Sequence, residues 1–127
     1  MVNASPAGAG PSDRPLVAYK VLTRAQMAEL EAQGSFAGAP VDLADGFVHL
    51  STAAQLAETI DRHFAGQDSL HIVAVDVEAL GDAIRWEPSR GGQDFPHLYA
   101  PLPLSATLAY GPLERELDGS VRLPTVA

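Results

Sequence analysis

Two short segments carry titratable side chains at a spacing of two residues. In Asp42-Leu43-Ala44-Asp45-Gly46-Phe47-Val48-His49-Leu50-Ser51-Thr52, a strand over Gly46 to Ser51 would put Phe47, His49 and Ser51 on one face and Val48 and Leu50 on the other. Phe95-Pro96-His97-Leu98-Tyr99 repeats the arrangement, with Phe95, His97 and Tyr99 together and Leu98 opposite. Neutral imidazole both donates and accepts, so His49 and His97 could grip a ribose or a phosphate, or move a proton. Tyr99 could stack on a ring or donate its hydroxyl. Two polar-faced strands therefore point to a pocket, without naming its ligand.

Other chemistry is weaker. Ser51 lies two positions after His49, which makes a Ser-His hydrolase conceivable, but no G-x-S-x-G elbow or oxyanion loop accompanies it. Helix capping explains Ser51 and Thr52 better. A metal site drawn from His49, His97, Asp42, Asp45 and Glu87 lacks close ligand spacing, so no metal is expected. Asp45-Gly46 reads as the turn into the strand. Glu87, beside a glycine-rich loop, is either a catalytic carboxylate or a surface charge, and Arg85 and Arg90 flank it as phosphate partners. Trp86 reads as core. His63 and His71 receive no role, the former suiting the C-terminal end of a helix.

These residues need a scaffold, and the pattern supplies one. Leu16 to Leu22 reads as a strand, followed by the capping box Thr23-Arg24-Ala25-Gln26, a helix with Met27 and Leu30 inward, and Gly34 as its stop. The strand carrying His49 runs into a second box, Thr52-Ala53-Ala54-Gln55, and a helix with Leu56, Ile60 and Phe64, ended by Gly66. The free amides of that helix start would then lie beside the His49 and Ser51 face and favour an anion there. Leu70 to Val75 is almost continuously apolar, as in a central strand covered on both faces. Ile84-Arg85-Trp86-Glu87 is a short strand, and Pro88 to Asp94 a turn-rich loop able to act as a lid. Leu104 to Tyr110 reads as another strand, and Asp118-Gly119 as the turn of a terminal hairpin.

The 127 residues allow one domain. Residues 1 to 15 read as a disordered leader and 16 to 127 as a single α+β domain. The absence of cysteine removes disulfides and thiol chemistry. A net charge of −8 opposes non-specific nucleic-acid binding. Neither a signal-peptide pattern nor a membrane-length apolar run is visible, so a cytoplasmic protein away from membranes is expected. Protein partners are not indicated.

Tyr19-Lys20, the Asp45 to Thr52 run with Gln55, Trp86-Glu87, and Phe95 to Tyr99 together resemble the small bacterial family known as domain of unknown function 952. The likeness extends from Leu16 to Leu113. It implies a fold similar to that of ADP-ribosyltransferases, a split, curved β-structure with two or three helices, whose cleft holds NAD in active relatives.

Carried over by position, Tyr19-Lys20 stands where active relatives present His or Arg to NAD, which is a departure. The Phe47 to Ser51 strand resembles the second motif strand, with His49 and Ser51 on the nicotinamide side. The Phe95 to Tyr99 strand resembles the third, where many relatives carry a glutamate and this chain has His97. An RNA 2′-phosphotransferase branch works without that glutamate, so its absence argues chiefly against protein ADP-ribosylation. The resulting expectation is a cleft for NAD, ADP-ribose or a related phosphorylated nucleoside, with NAD as a substrate. His49, His97 and Glu87 would be catalytic, and Tyr19, Lys20, Ser51, Thr52 and Tyr99 would bind the ligand. A non-catalytic nucleotide-binding module is the alternative.

Overall fold

Alternation in the first strand sets up two cores. In the computed structural model, which describes residues 14 to 124, β1 (Val17–Leu22) sends Ala18 and Leu22 into one buried cluster and Tyr19 and Val21 into another. The Thr23 hydroxyl accepts from the Gln26 amide and the Gln26 side chain accepts from the Thr23 amide, starting α1 (Arg24–Gln33), which Gly34 ends at φ 75°. Then follow β2 (Ser35–Phe36), α2 (Pro40–Asp45), β3 (Val48–His49) and, after a turn of 3₁₀ helix over Ala53–Gln55, α3 (Leu56–His63). The remainder comprises β4 (His71–Asp76), α4 (Val77–Leu80), β5 (Ile84–Pro88), β6 (Asp94–Leu98), β7 (Leu102–Pro103), β8 (Thr107–Pro112), β9 (Glu114–Arg115) and β10 (Val121–Arg122).

Two antiparallel three-stranded sheets organise the domain, one ordered β1-β4-β8 and the other β3-β6-β5. An isolated bridge between Tyr19 and Ser51 joins the first sheet to the chain leaving β3. The larger cluster gathers Ala18, Leu22, Val73 and Val75 from the first sheet with Val48 and Leu98 from the second, and Met27, Leu30 and Phe36 fill it from the side. On the other face of the first sheet, Tyr19, Val21, Ile72 and Ala74 pack against Leu56 and Ile60 of α3. The strand read from Leu70 to Val75 is thus central and covered on both faces.

The α+β class holds, but the described residues contain four short α-helices rather than two or three. Pro40–Asp45 forms α2, a helix not expected from the sequence, and the turn read at Asp45-Gly46 is its C-terminal end. Pro40 occupies the first turn, where its missing N–H costs nothing, and the Asp42 carboxylate accepts from the Ala39 amide. The segment expected as a strand from Gly46 to Ser51 is a strand only over Val48–His49; the Leu50 amide still donates to the Pro96 carbonyl at 3.1 Å, and Ser51 turns to exchange backbone hydrogen bonds with Tyr19 at 2.7 and 2.9 Å. Leu104–Ala106 is a 3₁₀ turn, so the strand expected from Leu104 starts at Thr107.

The loop expected as a lid is the tight connection of the β5/β6 hairpin, paired through Pro88 and Asp94 and held by Ser89 donating to Gln93. The terminal hairpin forms as expected, β9 against β10 with Gly119 at φ 91°. Most of the expected leader, residues 1 to 13, and the last three residues of the expected domain lie outside the described residues. Arg14, assigned to that leader, already contacts the domain: it pairs with Asp94 at 2.9 Å and sits over the Trp86 ring at 4.9 Å.

Candidate functional site

The outer face of the β3-β6-β5 sheet collects the chemistry. Antiparallel register sets His49 directly opposite His97, and His97 opposite Arg85, so all three project from the face away from Val48 and Leu98, which are core. The ring centroids of His49 and His97 are 5.7 Å apart at 68°. Phe47 stacks on His97 at 4.0 Å and also touches His49 at 4.6 Å and Tyr99 at 5.2 Å. This cover leaves His97 only 5 % exposed.

Glu87, two positions beyond Arg85 on β5, reaches diagonally across the pair. One of its oxygens lies 2.7 Å from His97 Nδ1 and 2.7 Å from the Tyr99 hydroxyl, which donates to it. These bonds, Tyr99's first and then His97's, hold the Glu87 carboxyl below the usual glutamate range. The same bond raises the Tyr99 phenol. Arg85 lies over the Tyr99 ring at 4.8 Å. The result is an ionised, partly exposed carboxylate bordered by aromatic faces and a guanidinium.

His49 is anchored from the other side. Its Nδ1 lies 2.6 Å from one oxygen of Asp42, and its backbone amide donates to that same oxygen at 3.1 Å. Its Nε2 lies 3.0 Å from Asp45, one helical turn later on α2. Asp42 is 1 % exposed and Lys20 6 %, and Lys20 Nζ meets both Asp42 oxygens, at 2.9 and 3.2 Å. Burial alone would raise the Asp42 carboxyl. The His49 hydrogen bond, the Lys20 charge and the Ala39 amide outweigh it and hold the group at about 2. Burial also pushes the Lys20 ammonium below its usual range, an effect that Asp42 partly offsets.

The expected site residues therefore separate. His49, His97, Glu87 and Tyr99 meet on one face, and Lys20 reaches it indirectly through Asp42. Tyr19 instead packs in the α3 core, where burial raises its phenol. The Ser51 hydroxyl bonds to Thr59 of α3 at 3.0 Å, while both ring nitrogens of His49 face carboxylates, so Ser51 and His49 do not form a dyad. Thr52 stands at the start of the 3₁₀ turn, its amide donating to Gln55. The Gln55 side chain also donates to the Asp94 carbonyl at 2.9 Å. One helix-start amide expected to favour an anion thus already has an acceptor within the protein.

Sequence reading missed Asp42 as the anchor of His49, having weighed it only as a metal ligand. The usable signal was Ala39-Pro40-Val41-Asp42 with Gly46 four residues after Asp42, a helix start with proline in the first turn and an acid at its third position. Among the described residues no group of three or more His, Cys, Asp and Glu is arranged to hold a metal ion. Nor is any helix among them long and apolar enough to cross a membrane. A depression of ≈ 280 Å³ adjoins the histidine face, sharing Phe47 and Tyr99 with it and lined also by Leu43, Leu98 and Pro101.

Fold and site together define a small α+β domain carrying a histidine-carboxylate face on an antiparallel sheet. The chain belongs to the family described as Protein of unknown function (DUF952), whose model matches residues 21–110. It is similar to the crystal structure of protein CC0527 from Caulobacter crescentus, at 46 % identity and a TM-score of 0.76, over 84 % of this chain and 93 % of that one. The solution NMR structure of CC0527 is likewise similar, at 46 % identity and a TM-score of 0.71, over 84 % of this chain and 91 % of that one. No curated protein matches the chain.

Proposed function

We propose that the His49, His97, Glu87 and Tyr99 face binds a small nucleotide-like ligand, NAD, ADP-ribose or a related phosphorylated nucleoside. The observation that carries this reading is the Glu87 carboxylate held between His97 and Tyr99 at 2.7 Å from each. A fixed, ionised carboxylate with free acceptor capacity suits the vicinal hydroxyls of a ribose. Phe47 and Tyr99 offer surfaces for a flat ring, and Arg85 an exposed cation for phosphate. The overall net charge of −8 makes this local cation the more necessary for an anionic ligand.

The split β-structure implied by the family resemblance finds support in two three-stranded sheets linked at Tyr19 and Ser51. By the family resemblance, His97 would stand where many ADP-ribosyltransferases carry a glutamate, and Glu87 on the adjacent strand brings a carboxylate to the same face. In glycosyl transfer on NAD, the bond from ribose C1′ to nicotinamide breaks and neutral nicotinamide departs. Water or an acceptor hydroxyl bonds to C1′ and loses its proton. Glu87 is suited to hold the ribose as positive charge develops at C1′, and His49 to take that proton.

A thermal-shift panel of NAD, ADP-ribose and nucleoside phosphates tests the binding, with Glu87→Gln and His49→Ala as controls. Stabilisation of the wild-type chain by a member of the panel, lost in both variants, is the expected result. A wild-type chain unmoved by every member overturns the reading. Nicotinamide release from NAD then separates an enzyme from a non-catalytic module.

A further inference from the structure

We propose that Asp42 is the positioning residue of His49: it fixes the ring so that Nδ1 carries a proton and Nε2 is the nitrogen turned away from the buried acid, toward the half-exposed Asp45. The proposal depends on the preceding reading only for which ligand Nε2 would serve. Four bonds converge on the Asp42 carboxylate from three places in the chain, His49, Ala39 and Lys20. His49 Nδ1 and the His49 amide approach one oxygen at 2.6 and 3.1 Å. The Ala39 amide donates to the other at 2.8 Å, where Lys20 Nζ lies at 2.9 Å.

An ionised carboxylate has no proton to give, so a nitrogen 2.6 Å from it must donate. That assigns the Nδ1 proton without reference to any ligand. The hydrogen bond made by one ring nitrogen decides what the other can do. Nε2 faces Asp45, whose side chain is 49 % exposed, across 3.0 Å. A neutral imidazole donates from one nitrogen only, so both bonds together take the protonated ring. In the neutral ring, the shorter bond to the buried acid retains the proton on Nδ1 and leaves Nε2 with the lone pair, on the side of the half-exposed Asp45. His49 is then a base or acceptor at Nε2 and an imidazolium donor after taking a proton, with Asp42 unchanged throughout.

Lys20 has a defined part in this arrangement. Asp42 would otherwise be a buried anion facing only neutral donors, and the ammonium of Lys20 at 2.9 and 3.2 Å balances it. Lys20 therefore serves His49 through Asp42, with two residues between it and a ligand held by His49. Gly46, at φ 88°, ends α2 and lets the chain return so that His49 meets the same helix that carries Asp42 and Asp45.

Long-range proton-nitrogen correlation spectra of the histidine rings, recorded on the ligand-free full chain near neutral pH, test this directly. His49→Gln assigns the signals, and the His97 Nδ1 contact with Glu87 serves as a control in the same sample. Wild-type His49 is expected to show a protonated Nδ1 with a downfield, slowly exchanging proton. Asp42→Ala alone leaves Lys20 buried without its partner and risks unfolding, so the informative variant combines Lys20→Met with Asp42→Ala. In that folded double variant the downfield His49 proton should be lost while the His97 signal stays. An unprotonated Nδ1 in the neutral wild-type ring overturns the proposal, as does a downfield proton that survives in the double variant. Should no nucleotide bind the wild type while the Nδ1 proton is present, the nucleotide reading falls and the positioning role stands.

Discussion

His49 and His97 face each other across the β3/β6 pair, rings 5.7 Å apart and 68° from parallel, yet they hold opposite places in the architecture. His97 is buried beneath Phe47 and tied to Glu87. His49, with a third of its side chain exposed, leans outward between two acids of α2. Truncating each should therefore have unequal effects. His97→Ala removes a stacked ring from a buried position and is expected to cost ~2–3 kcal/mol. His49→Ala leaves Asp42 with Lys20 and two backbone donors, and should cost ~1 kcal/mol. Urea unfolding of both variants measures the difference, and equal losses would count against it.

Acid should expose the Asp42 network. Its carboxyl titrates at about 2 in the folded chain against an ordinary 3.8. A group whose folded value is depressed adds stability above its unfolded value and loses it as pH falls through the folded one. At about 1.4 kcal/mol per unit, the contribution is ~2 kcal/mol, present above about pH 4 and gone by about pH 2. Unfolding free energies across this window should fall more steeply for the wild type than for the chain with Lys20→Met and Asp42→Ala. Parallel curves would show that Asp42 titrates normally.

Alternation makes part of this site legible in the sequence: His49, His97 and Tyr99 fall on polar faces because a strand has a period of two. What failed was long-range or depended on partners. Lys20 sits between Ala18 and Leu22 on the core side of β1, and nothing local marks a lysine there as buried until Asp42 arrives from 22 residues away. Ser51 left the histidine face because its backbone pairs with Tyr19 in the other sheet, a choice made by the tertiary fold. The two capping boxes and the glycine stop at Gly34 were legible because their chemistry is confined to a few consecutive residues, whereas α3 ends at His63 with Phe64 as its cap, before the stop expected at Gly66.

Glu87→Gln should change Tyr99 more than it changes stability. Its hydrogen bond to Glu87 is the leading cause that raises the Tyr99 phenol, so removing the carboxylate charge should return that phenol toward ordinary tyrosine. A spectrophotometric tyrosine titration, with Tyr99→Phe identifying the transition, reads the shift. An unmoved transition would mean that the Glu87 contact is not maintained in solution.

Arg14 offers a reporter on the other edge of the sheet. It pairs with Asp94 at 2.9 Å and lies over Trp86, the sole tryptophan. Both contacts are partly exposed, so Arg14→Ala should cost under ~1 kcal/mol, less still at high salt. Tryptophan emission should nevertheless change, since the guanidinium leaves the ring. Emission identical to wild type would place Arg14 elsewhere in solution.

Two glycines beside α2 separate backbone strain from a steric push on the site. Gly46 has φ 88° with nothing within 4 Å of an added Cβ, whereas Gly38 has φ 137° and its Cβ would fall 2.9 Å from Asp42 Cβ. Gly46→Ala therefore adds only the left-handed penalty, ~1–2 kcal/mol. Gly38→Ala adds comparable or greater strain and also forces Asp42 to move, for ~2–4 kcal/mol in total. Because Asp42 holds His49, the second variant should also alter the His49 ring signals while the first leaves them in place. Chemical denaturation and histidine ring spectra on the two variants test both halves. If Gly38→Ala leaves the His49 resonances unchanged at full occupancy of the folded state, Asp42 has room to yield and its grip on the ring is looser than the 2.6 Å contact implies.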